Sequence, residues 1–241
     1  MKITQLMAKK AEDNNGNPGI TIACLGDSVT QGCFELYMKN EKESETVFEQ
    51  EFAYHAYLKK ILAMLYPSVP VNIINAGISG SNAVQGYKRL ERDVLRYNPD
   101  LVIVCFGLND SGKGEDGIKE YTVSLENIFN DVRNSGAEVI FMTPNMMNTS
   151  VSPHIICDCI KDVAQNVQSI QNDGILDKYM EAAKKVCLRM NVTVCDCYEK
   201  WKTLYKNGVN VTELLSNKIN HPTRDMNWLF AVSLVETIMN N

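Results

Sequence analysis

The chain of 241 residues lacks any long apolar run, and this absence excludes several classes of protein. No stretch approaches the roughly 20 apolar residues that a membrane-spanning helix needs. Segment 1–10 also lacks the apolar run of a secretion signal. The eight cysteines lie mostly in apolar segments, which is typical of reduced thiols rather than of a disulfide framework. These observations predict a cytoplasmic protein without a membrane span.

Basic residues are outnumbered by acidic ones and are scattered along the chain. There are 24 Lys and Arg against 29 Asp and Glu, which gives a formal net charge of -5. A surface that binds nucleic acid normally carries a basic patch or stripe. The sequence therefore predicts a small-molecule substrate and no nucleic acid partner. It leaves the oligomeric state open, a homo-oligomer included.

Two motifs that could hold a metal or a nucleotide are incomplete. The cysteines of segments 157–159 and 195–197 are separated by one residue, whereas the ligands of structural zinc sites are separated by about two to four. Segment 107–114 nearly matches the phosphate-binding loop, but Gly114 stands where that loop needs Ser or Thr to bind magnesium. We therefore expect neither a metal nor a cofactor.

Apolar strands alternate with helical stretches after the first 18 residues. Uninterrupted apolar strands separated by helices are typical of a parallel sheet covered on both faces. The pattern predicts one α/β domain over 1–241, built as a three-layer α/β/α sandwich around five parallel strands. The predicted strands are 20–25, 71–75, 101–106, 138–143 and 192–195, and the predicted helices are 48–66, 83–97, 119–135, 173–190 and 224–239.

Two segments stand apart from this alternation. Segment 1–18 is predicted to be an N-terminal extension, with a short amphipathic helix over 1–13. Segment 33–50 is polar and acidic, with a charged run at 41–45. It has two interpretations, a solvated surface loop or a lid inserted near the site, and charge runs are more often solvated surface.

Four loops carry polar residues suited to acyl transfer. Ser28 follows the first strand, Gly80 the second and Asn109 the third, and His221 precedes the last helix. Loops after adjacent parallel strands converge at one edge of the sheet. Ser28 could attack a carbonyl and His221 could accept its proton. The N–H groups of Ser28 and Gly80, with the Asn109 amide, could hold an oxyanion.

These four blocks resemble the SGNH (GDSL-type) hydrolase superfamily, which is named for its Ser, Gly, Asn and His. Ser28 lies in GDSVTQG, Gly80 in NAGISG, Asn109 in GLND and His221 in NHP, in the order of the family. The resemblance spans roughly residues 20–241 and is closest to small sugar O-acetyl esterases and general esterases. It implies a flavodoxin-like sheet of strand order 2-1-3-4-5 and the hydrolysis of esters or thioesters without a metal.

One departure from the family concerns the partner that orients His221. The family usually places an Asp three or four residues before the histidine, where this chain has Lys218 and Asn217. A backbone carbonyl is our preferred substitute, because it fixes the imidazole tautomer as a carboxylate does, although it stabilises the imidazolium less. That carbonyl could be the one of Asn217 or Lys218. The alternatives are the carboxylate of Asp225 and an acid from elsewhere, such as Asp196 or Asp158.

Other polar residues near these loops receive supporting roles. Asp27 is expected to hydrogen-bond the loop backbone and shape the serine turn. Asp110 is expected to be structural, and Asn82 either braces its loop or touches substrate. His154 lies in the loop after the fourth strand, where it could border the substrate pocket.

The sequence predicts a serine hydrolase that cleaves short-chain acyl esters, with acetyl groups on sugars or other small acylated metabolites as the first choice. A lysophospholipase or acyl-thioesterase is the alternative within the same chemistry. The missing acid motivates a third hypothesis of another class, a non-catalytic binding protein on the same scaffold.

Overall fold

The computed structural model of the chain describes residues 1–40 and 43–241. The strands in these ranges are β1 (Ile20–Gly26), β2 (Cys33–Met38), β3 (Ser44–Phe48), β4 (Val71–Gly77), β5 (Leu101–Cys105), β6 (Glu138–Met142) and β7 (Thr193–Cys195). The helices are α1 (Lys2–Glu12), α2 (Ser28–Gln31), α3 (Tyr54–Leu65), α4 (Ala83–Lys88), α5 (Leu90–Asp93), α6 (Ile118–Asn134), α7 (Asp158–Asn172), α8 (Ile175–Met190), α9 (Cys197–Lys206) and α10 (Asn227–Asn240).

Five of these strands form one parallel sheet in the order β4-β1-β5-β6-β7. Counted along the chain this is the order 2-1-3-4-5, so the predicted fold class and strand order are confirmed. Every residue of the central strand β5 is buried. Burial on both faces explains why its sequence is apolar throughout instead of alternating.

Helices cover the sheet in two layers. On one side α10 packs against α3 and α1, and on the other α6 packs against α4 and α8. The predicted N-terminal helix is confirmed as α1, which buries Ile3 and Met7. In the part of the chain that the structure describes, no helix is both long enough and apolar enough to cross a bilayer.

The helix predicted over 83–97 is wrong as one continuous element. It is divided into α4, α5 and a final 3₁₀ turn, with Arg89 at the first break. The Arg89 guanidinium donates to the carbonyl oxygens of Ala76 at 2.6 Å and Gly26 at 2.8 Å. These bonds satisfy carbonyls at the ends of two strands, a tertiary gain that local helix propensity does not include.

The helices α7 and α9 were not predicted from the sequence. The signal for α7 was present, because Ile160, Ala164 and Val167 are spaced by 4 and 3 residues, and their side chains are at least partly buried. The start of α9 also had a signal, since Asp196 is its N-cap and accepts from the N–H of Glu199.

Segment 33–50 contains an antiparallel hairpin formed by β2 and β3. The interpretation as a solvated surface loop does not hold at its base, where Cys33 and Phe34 are buried, and the interpretation as a lid stays a prediction. Residues 41 and 42 of the predicted charged run lie outside the described residues. The hairpin base therefore belongs to the packed molecule, next to the loop that carries His221.

Candidate active site

The nucleophile candidate lies at a sharp turn after the central strand β1. Asp27 caps the short helix α2, and its Oδ1 accepts the N–H of Val29 at 3.0 Å. Ser28 is therefore the first residue of α2, at the carboxyl edge of the sheet. Within the described residues its hydroxyl makes no hydrogen bond, so no other protein group occupies it.

A close backbone approach holds this turn against the end of β4. A Cβ on Gly77 would lie 2.2 Å from the backbone nitrogen of Gln31 and 2.6 Å from the carbonyl carbon of Thr30. Only glycine permits that approach. The side chain of Gln31 then accepts the N–H of Ser79 at 2.6 Å. These contacts bind the loop after β4 to the nucleophile turn.

The three candidate oxyanion donors come from loops that contact one another. The Asn109 amide donates one hydrogen bond to the carbonyl of Ser81 at 2.9 Å, which leaves its second N–H free to point elsewhere. Gly80 has a φ of +75° in the same loop. In residues 1–40 and 43–241, the N–H groups of Ser28 and Gly80 donate to no protein acceptor. The loops thus carry unoccupied donors, as an oxyanion hole requires.

His221 is oriented by a main-chain carbonyl from an unexpected place. Its Nδ1 lies 2.8 Å from the carbonyl oxygen of Phe34, at the base of the hairpin. A carbonyl oxygen only accepts hydrogen bonds, so Nδ1 carries the proton and Nε2 of the neutral ring is left with a lone pair. The group at Nδ1 is a backbone carbonyl, as preferred from the sequence, but it belongs to Phe34 and not to Asn217 or Lys218.

The Asn217 side chain stabilises the loop that carries His221. Its Oδ1 accepts the N–H groups of Ile219, Asn220 and His221 at 3.0, 2.9 and 2.9 Å. One side chain thereby folds the loop that presents the imidazole. Lys218 occupies the left-handed region with a φ of +59°, and its ammonium pairs with Glu213.

The acids suggested as partners of His221 lie elsewhere. Asp225 is exposed. Asp196 bonds Thr143 and Lys184, and Asp158 pairs with Lys161. Among the described residues, no carboxylate is hydrogen-bonded to the His221 ring. The alternatives that assigned this role to Asp225, Asp196 or Asp158 therefore do not match the structure.

Arg224 fixes the hairpin beside the histidine, and sequence reasoning missed it. Its guanidinium holds Glu35 through two bonds of 2.7 and 3.0 Å and also pairs with Glu49. The same group lies 4.5 Å from the ring centroid of Phe34. Planar bidentate pairing of this kind adds geometric specificity. An arginine three residues after His221, in a chain with an acidic insertion, was the available signal.

Burial sets the protonation states around the site. It lowers the pKa of His221, against the smaller opposing effects of the Phe34 carbonyl and Glu35. The neutral ring, which is the form a base needs, is thus favoured.

Ser28 Oγ and the His221 ring are not hydrogen-bonded to each other in the described structure. Catalytic hydrogen bonds often tighten only when substrate is bound.

Two buried carboxyl groups lie beneath the loops. Burial raises the pKa of Asp27 to about 7 and that of Asp110 to about 6. Asp110 Oδ1 accepts the N–H of Ala83 at 2.9 Å. Asn82 caps α4 in a reciprocal capping box with Gln85. These bonds give Asp27, Asp110 and Asn82 loop-supporting positions, and contact of Asn82 with substrate stays a prediction.

A cavity of about 720 Å³ opens beside the His221 loop. His154 lines it, as does Asn217, so His154 does border a pocket, although its contact with substrate stays a prediction. The apolar part of the wall is contributed by Leu36, Tyr37, Met38, Ile155, Ile156 and Ile160. Within the described ranges, no three His, Cys, Asp or Glu side chains are grouped so that they could hold a metal ion.

Comparisons with known proteins find related chains. The model of the GDSL-like Lipase/Acylhydrolase family matches residues 24–229. An acetylxylan esterase of Geobacillus stearothermophilus is 29% identical over 135 residues, which cover 52% of this chain and 60% of that protein. An arylesterase of Vibrio mimicus is 34% identical over 80 residues, 33% of this chain and 40% of that protein. The chain thus matches less than two thirds of either relative.

Solved structures show the same fold. The lipase/acylhydrolase from Enterococcus faecalis superposes with a TM-score of 0.67 at 22% identity, over 92% of this chain and 96% of that one. The acetylxylan esterase Axe2 from Geobacillus stearothermophilus gives a TM-score of 0.66 at 19% identity, over 91% and 94%.

Proposed function

The chain belongs to the GDSL-like lipase/acylhydrolase family, and we propose that it hydrolyses short-chain acyl esters through an acyl-enzyme on Ser28. The first choice of substrate is an acetyl ester of a sugar or of another small metabolite. The observation that carries the proposal is the 2.8 Å contact between His221 Nδ1 and the Phe34 carbonyl. It supports a neutral imidazole whose Nε2 can act as a base toward Ser28.

In the first half of the reaction, Nε2 of His221 accepts the Ser28 proton while Oγ attacks the ester carbonyl carbon. The carbonyl oxygen becomes an oxyanion, which the N–H groups of Ser28 and Gly80 and the free Asn109 N–H stabilise. The imidazolium then returns the proton to the leaving alcohol oxygen as the carbon–oxygen bond breaks. The product is an acyl-enzyme on Ser28.

Water completes the second half of the reaction. Nε2 of His221 accepts a proton from water as its oxygen attacks the acyl carbon. The tetrahedral oxyanion occupies the same three donors. Collapse releases the carboxylic acid and returns the proton to Ser28 Oγ. Since a neutral carbonyl stabilises the imidazolium less than a carboxylate would, we expect a working but slower Ser-His dyad.

A second substrate class is favoured by one observation, the apolar wall of the cavity beside the His221 loop. Apolar linings bind apolar parts of ligands. Esters or thioesters with longer acyl chains, as in a lysophospholipase or acyl-thioesterase, would exploit that wall. The relatives named for acetylxylan and aryl esters support the short-acyl choice.

Hydrolysis of 4-nitrophenyl acetate, butyrate and octanoate by the wild type and by Ser28→Ala tests the proposal. We expect turnover that falls steeply with chain length and drops by roughly 10⁴-fold or more in Ser28→Ala and His221→Ala. The matched control is Ser135→Ala, because Ser135 ends α6 at the opposite edge of the sheet. It should keep wild-type activity.

Other outcomes separate the alternatives. A preference for octanoate would favour the lipid or thioester substrates. Full activity in Ser28→Ala would contradict the acyl-enzyme. Absence of Ser28-dependent turnover, together with failure of a fluorophosphonate to label Ser28, would favour the non-catalytic binding protein.

A further inference from the structure

A pair of thiols lies at the start of α7, outside the ester-hydrolysis site. The Sγ atoms of Cys157 and Cys159 are 2.6 Å apart. Cys157 is half-buried and Cys159 is exposed. A disulfide bond is about 2.05 Å long, so the two sulfurs need to close by only about 0.5 Å. The pair is therefore accessible and close to bonding distance.

The chain contains a second pair of cysteines with the same spacing, which differs from the first in burial and in sulfur separation. Cys195 and Cys197 are also separated by one residue, but their Sγ atoms are 3.7 Å apart and both residues are buried. Oxidants reach exposed thiols first, and buried structural cysteines are inert. Spacing alone thus does not distinguish the two pairs, whereas exposure and sulfur separation do.

The surroundings distinguish the roles of the two sulfurs at α7. Cys157 is the N-cap of this 15-residue helix, whose N-terminal N–H groups favour negative charge. The hydrogen bond from Cys159 lowers the pKa of Cys157 and raises that of Cys159. The charged neighbours are Asp158, which disfavours the thiolate, and Lys161, whose ammonium pairs with Asp158 at 3.1 Å. Cys157 is the better attacking thiolate.

We propose that Cys157 and Cys159 form a redox-active dithiol, which a low-molecular-weight disulfide oxidises reversibly to an intramolecular disulfide. The Cys157 thiolate attacks one sulfur of the small disulfide, and the other half leaves as a thiolate that takes up a proton. Cys159 then loses its proton to solvent and attacks the Cys157 sulfur, which releases the second small thiol. The protein loses two electrons and the small disulfide gains them.

One member of the pair lies in the wall of the cavity beside the His221 loop. Cys157 lines the cavity of about 720 Å³, between Ile156 and Ile160. A bond from Cys157 to Cys159 would fix this part of the wall at the first turn of α7. The exchange at these thiols does not depend on ester hydrolysis.

Equilibration of the full chain in oxidised and reduced glutathione at a series of ratios tests the proposal. After an acid quench, the chain is unfolded in denaturant, free thiols are alkylated with N-ethylmaleimide at mildly acidic pH, and the peptide masses are measured by mass spectrometry. We expect the peptide with Cys157 and Cys159 to lose two hydrogen atoms and both alkylation sites in a single two-electron transition. The peptide with Cys195 and Cys197 should stay reduced over the same ratios, as the internal control.

Two single variants identify the order of attack. Cys159→Ser should leave glutathione trapped on Cys157, while Cys157→Ser should trap far less of it on Cys159. Circular dichroism of each variant verifies that the fold is retained. The proposal is overturned if no bond joins the two cysteines at any ratio, if the 195–197 pair oxidises equally, or if the wild type stops at a glutathione adduct.

Discussion

The carbonyl oxygen of Phe34 lies 2.8 Å from Nδ1 of His221, although 187 residues separate the two in sequence. The hairpin base thus takes the position that an acid usually holds in a Ser-His-Asp triad. A carbonyl fixes the tautomer without adding a negative charge. A carboxylate would both orient the ring and stabilise its positive charge. The Phe34 carbonyl supplies the orientation without that charge.

The first prediction concerns Arg224, which holds Glu35 and stacks on Phe34. Arg224→Gln should lower kcat by about 10- to 100-fold with a small change in KM, since misplacement of a catalytic group by about 1 Å has such effects. Arg224→Lys should recover part of the loss. Steady-state kinetics measure both, and Lys200→Gln, which removes an exposed pair between α9 and Glu236 of α10, is the control. An unchanged kcat in a folded Arg224→Gln protein would contradict the positioning role.

The second prediction concerns the Asn109 amide. Asn109→Ala should lower kcat by about 100- to 1000-fold, because one oxyanion donor is lost. The bond to the Ser81 carbonyl disappears as well, so thermal unfolding must be measured in parallel. Asn207→Ala, at the exposed C-terminal cap of α9, is the matched control and should retain kcat. A loss confined to stability would leave Asn109 without a part in the chemistry.

The third prediction concerns the pH dependence of kcat/KM. Burial lowers the pKa of His221 below its ordinary value of 6.5, and the base must be neutral to accept a proton. Activity should therefore persist below pH 6.5 and fall only as pH drops through the lowered pKa. A profile from about pH 4 to 9 measures the midpoint. A midpoint above 6.5 would mean that Glu35 and the Phe34 carbonyl outweigh burial.

The fourth prediction links Asp27 to stability. Its pKa is about 7 in the folded protein, whereas the ordinary value of 3.8 applies to the unfolded chain. Between pH 3.8 and about pH 7, the folded state therefore keeps a proton on Asp27 that the unfolded state has released. Stability should therefore decrease as pH rises from about 4 to about 7. Asp27→Asn keeps a good N-cap and should weaken this dependence. Denaturant unfolding at about pH 5 and pH 7.5 measures it, and the exposed Asp158→Asn should behave like the wild type.

The fifth prediction concerns the contact between β4 and α2. Gly77→Ala would place a Cβ 2.2 Å from the Gln31 backbone nitrogen, so we expect a loss of roughly 3 kcal/mol in unfolding free energy. Gly112→Ala is the control, because nothing lies within 4 Å of its added Cβ. Denaturant unfolding compares the two variants. Equal stability would show that the nucleophile turn can shift away from β4.

Local sequence determined most of the sheet and the identity of the chemical groups. The apolar runs marked all five parallel strands. The signal is clearest for β1, β5 and β6, which are buried along almost their whole length and therefore leave no room for alternation. Ser28, Gly80, Asn109 and His221 could be named from four short blocks, since each block stands next to a strand or helix end. Strands and the loops at their ends depend on short segments of sequence, so they can be predicted from those segments.

Only the tertiary structure decided what holds the histidine. The Phe34 carbonyl is a main-chain group that every residue carries, so no side-chain pattern marks it. Its position depends on the hairpin, on Arg224 and on the loop folded by Asn217, which meet through contacts between residues far apart in sequence. The sequence determined which groups are proposed to do the chemistry, while the packing of distant segments decided which backbone atom orients His221.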